Sequence, residues 1–233
     1  MKERNTKIGF VLVLVVLVIG LVVAGTVLAG SPSKRSEAPV FWSWDFESGN
    51  TDNPVGTSDL VRTDDGISGN YMTDVLRPGN TATLWFIVFN YPEECAAGPY
   101  MCSPYDLGPD AAAKGDFLVA SGHVIGGDGK GNFGGHLNAG DTSGSGYAEV
   151  NCPDTWDCAP GLIDPKGALV VLAVHDHGPK QSGQVLKEQI SSFLGGCDGP
   201  FNGNEFGFAT GLEDIPDAEG ECSTIQFSPH MPD

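Results

Sequence analysis

An uninterrupted apolar run near the N-terminus is the longest hydrophobic pattern in the chain. Residues 8–28 are rich in Val, Leu and Ile and carry no charge, and a helix needs about 20 apolar residues to cross a bilayer. This length favours an uncleaved transmembrane anchor, because a cleavable signal usually has an apolar region of about 7 to 15 residues. The alternative is cleavage after Ala29, where small residues form an acceptable cleavage site.

Beyond this run, short apolar segments alternate with turn-forming residues. Apolar positions of period two at Val40, Trp42, Trp44 and Phe46 predict a half-buried strand. Residues 81–90 are apolar on both faces and predict a central strand. Residues 48–79 are mostly turn-forming, apart from a short apolar segment at 60–62. The remaining predicted strands are 117–125, 133–137, 147–150, 168–177, 205–210 and 223–228.

One segment has helical spacing instead. Val185, Leu186, Ile190, Phe193 and Leu194 recur on one face, and two glycines follow. Many short elements also agree with the 33 Gly and 16 Pro of the 233 residues. We therefore expect an all-β protein, mainly an antiparallel β-sandwich, with one short amphipathic helix and an N-terminal transmembrane helix. The predicted organisation is an anchor at 1–30, a linker at 31–37 and a single β-rich domain at 38–233.

The cysteines indicate an oxidising compartment. All six follow the apolar run, in a loop-rich domain, as is typical of exported proteins. Six cysteines allow 15 pairings, and spacing favours three local ones. The sequence contains no Cys-x-x-Cys pair, so it does not indicate a zinc ribbon or a redox motif. The predicted disulfides are Cys95 with Cys102, Cys152 with Cys158 and Cys197 with Cys222.

Charge restricts the possible partners. The formal net charge is −18 at pH 7, which excludes nucleic-acid binding because phosphate recognition requires clustered Lys and Arg. No Lys or Arg follows Lys187, whereas acidic residues continue to the C-terminus. Such a surface keeps an exported protein soluble. The alternatives are a loosely bound calcium ion or a basic protein partner.

Histidines are the main candidates for metal chemistry. His175 and His177 lie two positions apart in a predicted strand, so their imidazoles point to the same face. They could provide two ligands for copper or zinc, with His123 or His136 as a third. The alternative is that each imidazole only forms hydrogen bonds with neighbouring groups.

The same stretch carries a resemblance to a known family. Residues 174–183 read VHDHGPKQSG, and the His-x-His-Gly-Pro part resembles a segment of CHRD domains, β-rich extracellular modules named after chordin. With the strands from Phe117 onward, the similarity covers about a third of the sequence. It implies an extracellular β-domain of binding or structural character. The cysteine-bearing inserts depart from the family pattern, and the resemblance carries no catalytic residues over.

Three functions remain as hypotheses. The favoured one is a membrane-anchored extracytoplasmic binding or structural module, such as an accessory subunit that contacts other extracytoplasmic proteins. The second is a copper- or zinc-binding protein that uses the strand histidines. The third is a secreted hydrolase, although the sequence lacks a Gly-x-Ser-x-Gly elbow, a His-Glu-x-x-His helix and a phosphate-binding loop.

Overall fold

The computed structural model describes residues 33–47, 49–197 and 222–232, and within them eight strands form one antiparallel sheet. Their spatial order is β5-β4-β7-β8-β1-β2-β3-β6, which confirms the predicted antiparallel β-fold. The strands are β1 (Lys34–Trp42), β2 (Gly56–Arg62), β3 (Gly66–Thr73), β4 (Asn80–Phe89), β5 (Gly115–Val124), β6 (Gly131–Asn138), β7 (Leu169–Pro179) and β8 (Ser223–His230).

The sheet folds over on itself at β1. This strand pairs with β2 from Lys34 to Val40, but with β8 only at Phe41 and Trp42. The sheet therefore has two halves that face each other across a common core. That core contains Leu60 and Ile67 from one half and Leu84, Phe86 and Leu172 from the other.

Two glycines show how closely the halves approach. A Cβ atom on Gly69 of β3 would lie 2.9 Å from Cε1 of Phe86 on β4. A Cβ atom on Gly135 of β6 would lie 2.7 Å from Cβ of Ala120 on β5. Because β5 and β6 are the two edges of the sheet, the second contact means that the sheet is nearly closed.

Two predicted strands are partly or wholly helical in the structure. The strand expected at 40–46 ends at Trp42, and α1 (Ser43–Glu47) follows. The turn of α1 stacks Trp44 on Trp42, with ring centroids 4.6 Å apart. Residues 147–150 lie in α2 (Gly146–Asn151). Its N-cap is Ser145, whose side chain accepts a hydrogen bond from the Ala148 amide. The N-cap serine is the local sequence feature that indicates a helix here, and the apolar alternation of residues 147–150 favoured a strand instead.

The structure also forms strands where the sequence predicted irregular chain. Strands β2 and β3 lie within the turn-rich residues 48–79, and β1 begins inside the predicted linker at 31–37. In β3 the core-facing positions are Ile67, Gly69 and Tyr71. The glycine that fits against Phe86 interrupts the apolar alternation, so the strand pattern is incomplete in the sequence.

The predicted amphipathic helix is α3 (Gly183–Gln189), and the pattern after it continues as irregular chain. The Gln189 side chain donates hydrogen bonds to the carbonyls of His177 and Pro179, at 3.2 Å each. It therefore ties the end of this helix to β7. Phe193, further along the same pattern, is buried.

The structure joins all six cysteines in the three predicted pairs. The expected anchor at 8–28 and the expected strand at 205–210 lie outside the described residues. Across 33–47, 49–197 and 222–232, no helix has the length and apolar character required to span a membrane.

Candidate functional site

The candidate site lies on the outer face of β4, β7 and β8, opposite the common core. Trp85 on β4 pairs with Ala173 on β7, and Ala173 pairs with Phe227 on β8. Paired residues point to the same face of a sheet, so these three form a row across the strands. Both faces of β4 are thus buried, as the continuous apolar run predicted.

An apolar pocket of about 250 Å³ opens above this row. The insert between β4 and β5 forms one wall through Cys102, Pro104 and Leu107, and Phe193 contributes from the chain after α3. Among the described residues, every side chain of the lining is uncharged, and the only hydroxyl groups belong to Ser103 and Thr224. The described lining residues are Trp85, Ile87, Phe89, Cys102, Ser103, Pro104, Leu107, Phe117, Val171, Ala173, Phe193, Thr224 and Phe227.

The insert is held in place by covalent and polar contacts. The Cys95–Cys102 disulfide closes it. The buried Asp106 carboxylate accepts hydrogen bonds from the Ala96 amide at 2.7 Å, and from the amide and hydroxyl of Ser103 at 2.8 and 3.0 Å. Because Cys102 and Ser103 line the pocket, these contacts fix the shape of its wall.

Aromatic rings form the end of the pocket nearest β5. Trp85 lies 5.7 Å from Phe117 and 5.3 Å from Phe193, and Phe117 lies 4.7 Å from Phe193, measured between ring centroids. These are tilted or edge-to-face pairs, the arrangements that aromatic rings prefer. The three rings support one another and give this end of the pocket a defined surface.

His175 and His177 lie beside this aromatic cluster. Both are fully buried on the outer face of β7, and their ring centroids are 4.8 Å apart. The Trp85 indole donates to the Thr83 hydroxyl oxygen at 2.7 Å, and that hydroxyl lies 2.9 Å from Nε2 of His177. Nδ1 of His177 donates to the Gly195 carbonyl at 2.9 Å. Neutral His177 therefore accepts the Thr83 proton at Nε2.

Burial keeps both imidazoles neutral. Loss of solvation lowers the pKa of His177 to about 4, although the hydrogen bond to Gly195 acts in the opposite direction. Burial, followed by repulsion from His177, lowers the pKa of His175 well below its ordinary value. Neutral imidazole is the form that binds metal ions.

The disulfide between Cys197 and Cys222 completes a cluster that the sequence did not reveal. One ligand atom from each of His175, His177, Cys197 and Cys222 lies within 4.8 Å of all the others. Cys222 directly precedes β8, and β8 pairs with β7 at Ser223 and Asp176. The sequence predicted both strands, but their pairing was needed to place this disulfide against the histidines.

The other candidate ligands lie elsewhere. His123 pairs with Ala82, whose side chain faces the common core. The His123 ring stacks on Phe133, with ring centroids 4.4 Å apart. His136 is an exposed residue of β6 that lies 2.8 Å from the Ser68 hydroxyl. The structure thus brings together His175 and His177, but it separates His123 and His136 from them.

A serine and a histidine on β2 and β8 form a buried hydrogen-bonded pair. Nε2 of His230 lies 2.8 Å from the Ser58 hydroxyl, and Nδ1 lies 2.8 Å from that of Ser36. Ser58 and His230 are only 2% and 1% exposed. This burial leaves the Ser58 hydroxyl out of reach of a substrate, so the pair does not support the hydrolase hypothesis.

Comparisons of this chain with protein-family models, with curated proteins and with solved structures found no match.

Proposed function

We propose that this protein is an extracytoplasmic binding module whose ligand site is the apolar pocket above Trp85, Ala173 and Phe227. The observation that carries the proposal is the lining itself, whose described side chains are apolar apart from two hydroxyl groups and the indole nitrogen of Trp85. Small-molecule sites combine such a lining with a few polar groups that orient the ligand. Ser103 and Thr224 provide those groups here.

The size of the pocket limits the ligand to a small molecule. An engineered apolar cavity of about 150 Å³ binds benzene, so about 250 Å³ suits a molecule of roughly ten non-hydrogen atoms. A bicyclic aromatic or a short branched hydrocarbon has this size.

Charge selects an uncharged ligand over an anionic one. The described residues of the lining offer no cation to pair with a carboxylate, and burying an unpaired charge is costly. The formal net charge of −18 also disfavours the approach of anions. We therefore assign the site to uncharged apolar molecules, and we do not assign it to fatty acids.

The proposed location combines two observations. Three disulfides join the six cysteines, which is typical of an oxidising compartment, and residues 8–28 are long enough to anchor the chain. We expect the protein to resist carbonate extraction from native membranes. A soluble mature protein that begins at Gly30 would replace the anchor with a cleaved signal and leave export intact.

Calorimetric titration of the full-length chain with indole tests the binding function. Indole is uncharged and has about the right size, and ligands of this size reach about 0.6 kcal/mol per non-hydrogen atom, within the usual limits. We expect a dissociation constant on the order of 100 μM. Val171→Phe, which places a larger ring in the pocket, should abolish the binding.

A matched substitution controls for general effects of the larger side chain. Val61→Phe makes the same change at another half-buried strand position, on β2 and outside the pocket, and should leave indole binding unchanged. Equal binding by the wild type and Val171→Phe, or failure of the folded wild type to bind indole, would disprove the assigned site.

A further inference from the structure

We propose that His175, His177, Cys197 and Cys222, here named the histidine–cysteine cluster, form a zinc site when the disulfide between the two cysteines is reduced. The four residues offer two imidazole nitrogens and two sulfurs. This set of ligands, in tetrahedral arrangement, is typical of structural zinc sites. The site is separate from the ligand pocket, although Phe193 and Thr224 contact both.

Distances to His177 already approach those of a zinc site. Its Nδ1 lies 3.7 Å from Sγ of Cys197 and 4.0 Å from Sγ of Cys222. Tetrahedral zinc with its usual bond lengths sets nitrogen and sulfur ligands about 3.6 Å apart. Each nitrogen–sulfur distance therefore needs to change by only a few tenths of an ångström, although the two sulfurs must move apart.

His175 has an unsatisfied ring nitrogen. Its side chain is fully buried, and Nε2 has no hydrogen-bond partner among the described residues. Nδ1 lies 3.0 Å from the Thr224 hydroxyl. When Nδ1 donates its proton to that oxygen, Nε2 presents a lone pair, which is how metal-binding histidines are commonly held. An unsatisfied buried group is costly, and zinc binding removes that cost.

His177 can exchange its tautomer without losing both partners. In the disulfide form Nδ1 carries the proton and donates to the Gly195 carbonyl. In the zinc form the proton resides on Nε2, which donates to the Thr83 hydroxyl oxygen 2.9 Å away. Thr83 then orients the imidazole, as partners of metal-bound histidines usually do.

The reaction requires a thiol reductant. A dithiol transfers two electrons and two protons to the disulfide, becomes a disulfide itself and leaves two cysteine thiols. Zinc binding then releases two protons, because both sulfurs bind as thiolates. The sulfurs must separate from bonding distance to about 3.8 Å in tetrahedral geometry. Cys197 is half-buried, which gives the reductant access to one sulfur.

The test uses Co²⁺ as a spectroscopic substitute for zinc. The full-length chain is reduced with a phosphine under anaerobic conditions and titrated with Co²⁺, with the oxidised chain in parallel. We expect the reduced chain to bind one Co²⁺ with the visible bands of a tetrahedral thiolate site, which Zn²⁺ then displaces. The oxidised chain should give no such bands.

Single substitutions identify the ligands. His175→Ala and His177→Ala should each lower Zn²⁺ affinity at least about 100-fold in chelator competition, because loss of outer partners alone costs about 10- to 100-fold. His136→Ala, which removes an exposed histidine elsewhere, should have no effect. The double variant Cys95→Ser/Cys102→Ser, which removes a disulfide outside the cluster, should keep the Co²⁺ bands.

Near-ultraviolet circular dichroism accounts for any unfolding on reduction. If the reduced chain unfolds and Zn²⁺ restores the native spectrum, the site is supported. If Zn²⁺ does not restore it, or if the folded reduced chain shows no Co²⁺ bands, the proposal is wrong. Unchanged Co²⁺ affinity in both histidine variants would also overturn it, because the metal would then be held by the thiolates without the imidazoles.

Discussion

Phe193 packs against His175, with ring centroids 4.4 Å apart, and it also forms part of the ligand pocket. The pocket and the histidine–cysteine cluster therefore share a wall. Phe193 lies in the segment between α3 and Cys197. Gln189 links the start of this segment to β7, and the Cys197–Cys222 disulfide links its end to the start of β8. The shape of the pocket thus depends on how this short segment is fixed to the sheet.

Removal of the Phe193 ring should weaken ligand binding and stability together. Phe193→Ala takes away both a pocket wall and a buried ring, so we expect a loss of about 3 to 5 kcal/mol in the free energy of unfolding. Indole affinity should fall about tenfold. Phe133→Ala, which removes an equally buried ring from the common core, should cost similar stability, and its indole affinity should match the wild type. Equal loss of affinity in both variants would contradict the role of Phe193.

The disulfide that closes the insert should matter to binding more than its equally short counterpart. Each of the Cys95–Cys102 and Cys152–Cys158 bridges closes a small loop, and loop entropy predicts about 2.5 kcal/mol of stabilisation from each. Only the first contributes to the pocket. We expect Cys95→Ser/Cys102→Ser to weaken indole binding severalfold, and Cys152→Ser/Cys158→Ser to leave it unchanged. The opposite order in calorimetry would rule out a structural role of the insert in the pocket.

Asp176 should make the protein less stable at neutral pH than at acidic pH. Burial raises the pKa of its carboxyl to about 7, against hydrogen bonds from Gly178 and Asn80 that lower it. Because the folded state holds the proton more tightly than the unfolded state, stability falls as pH rises from about 4 to about 7. Asp176→Asn removes this effect. Relative to the wild type, the variant should gain about 3 kcal/mol between pH 5 and pH 8.5 in urea titrations. A constant difference between the two would exclude a raised pKa.

His177 should make the protein less stable in acid. Its pKa is lowered from 6.5 to about 4 by burial, so the unfolded chain binds the proton more readily than the folded chain. The contribution of neutral His177 is complete above about pH 6.5 and is lost as pH falls to about 4. His177→Asn keeps an amide that can donate to Gly195. Over this interval, we expect the variant to lose up to about 3 kcal/mol less free energy of unfolding than the wild type. The test is to measure the denaturant midpoint of the wild type and of His177→Asn as a function of pH. Identical slopes would show that His177 is not buried in its neutral form.

The sequence predicted elements with complete local patterns. The apolar run of β4 and the period-two relation of His175 and His177 both appear as expected, and the cysteine spacing predicted the three disulfides. Strand β3 was missed because Gly69 occupies a core position where close packing of Phe86 leaves no room for a side chain.

The site itself depends on contacts between distant parts of the chain. The pocket requires the insert after β4 and the segment after α3 to meet over the same strands. The histidine–cysteine cluster requires β8 to pair with β7, which places Cys222 beside His177. Neither contact could be predicted from the periodicity of the sequence, because a hydrophobic pattern indicates which residues are buried and does not indicate which strands are neighbours.

Crystals of the full-length chain soaked with 5-bromoindole test the binding function most directly, because anomalous scattering locates the bromine independently of the protein density. We expect one principal bromine peak in the pocket, between Trp85, Val171 and Phe227, with the indole ring held among the apolar side chains. A principal peak elsewhere on the protein, or a pocket occupied by ordered water in the presence of saturating ligand, would contradict it.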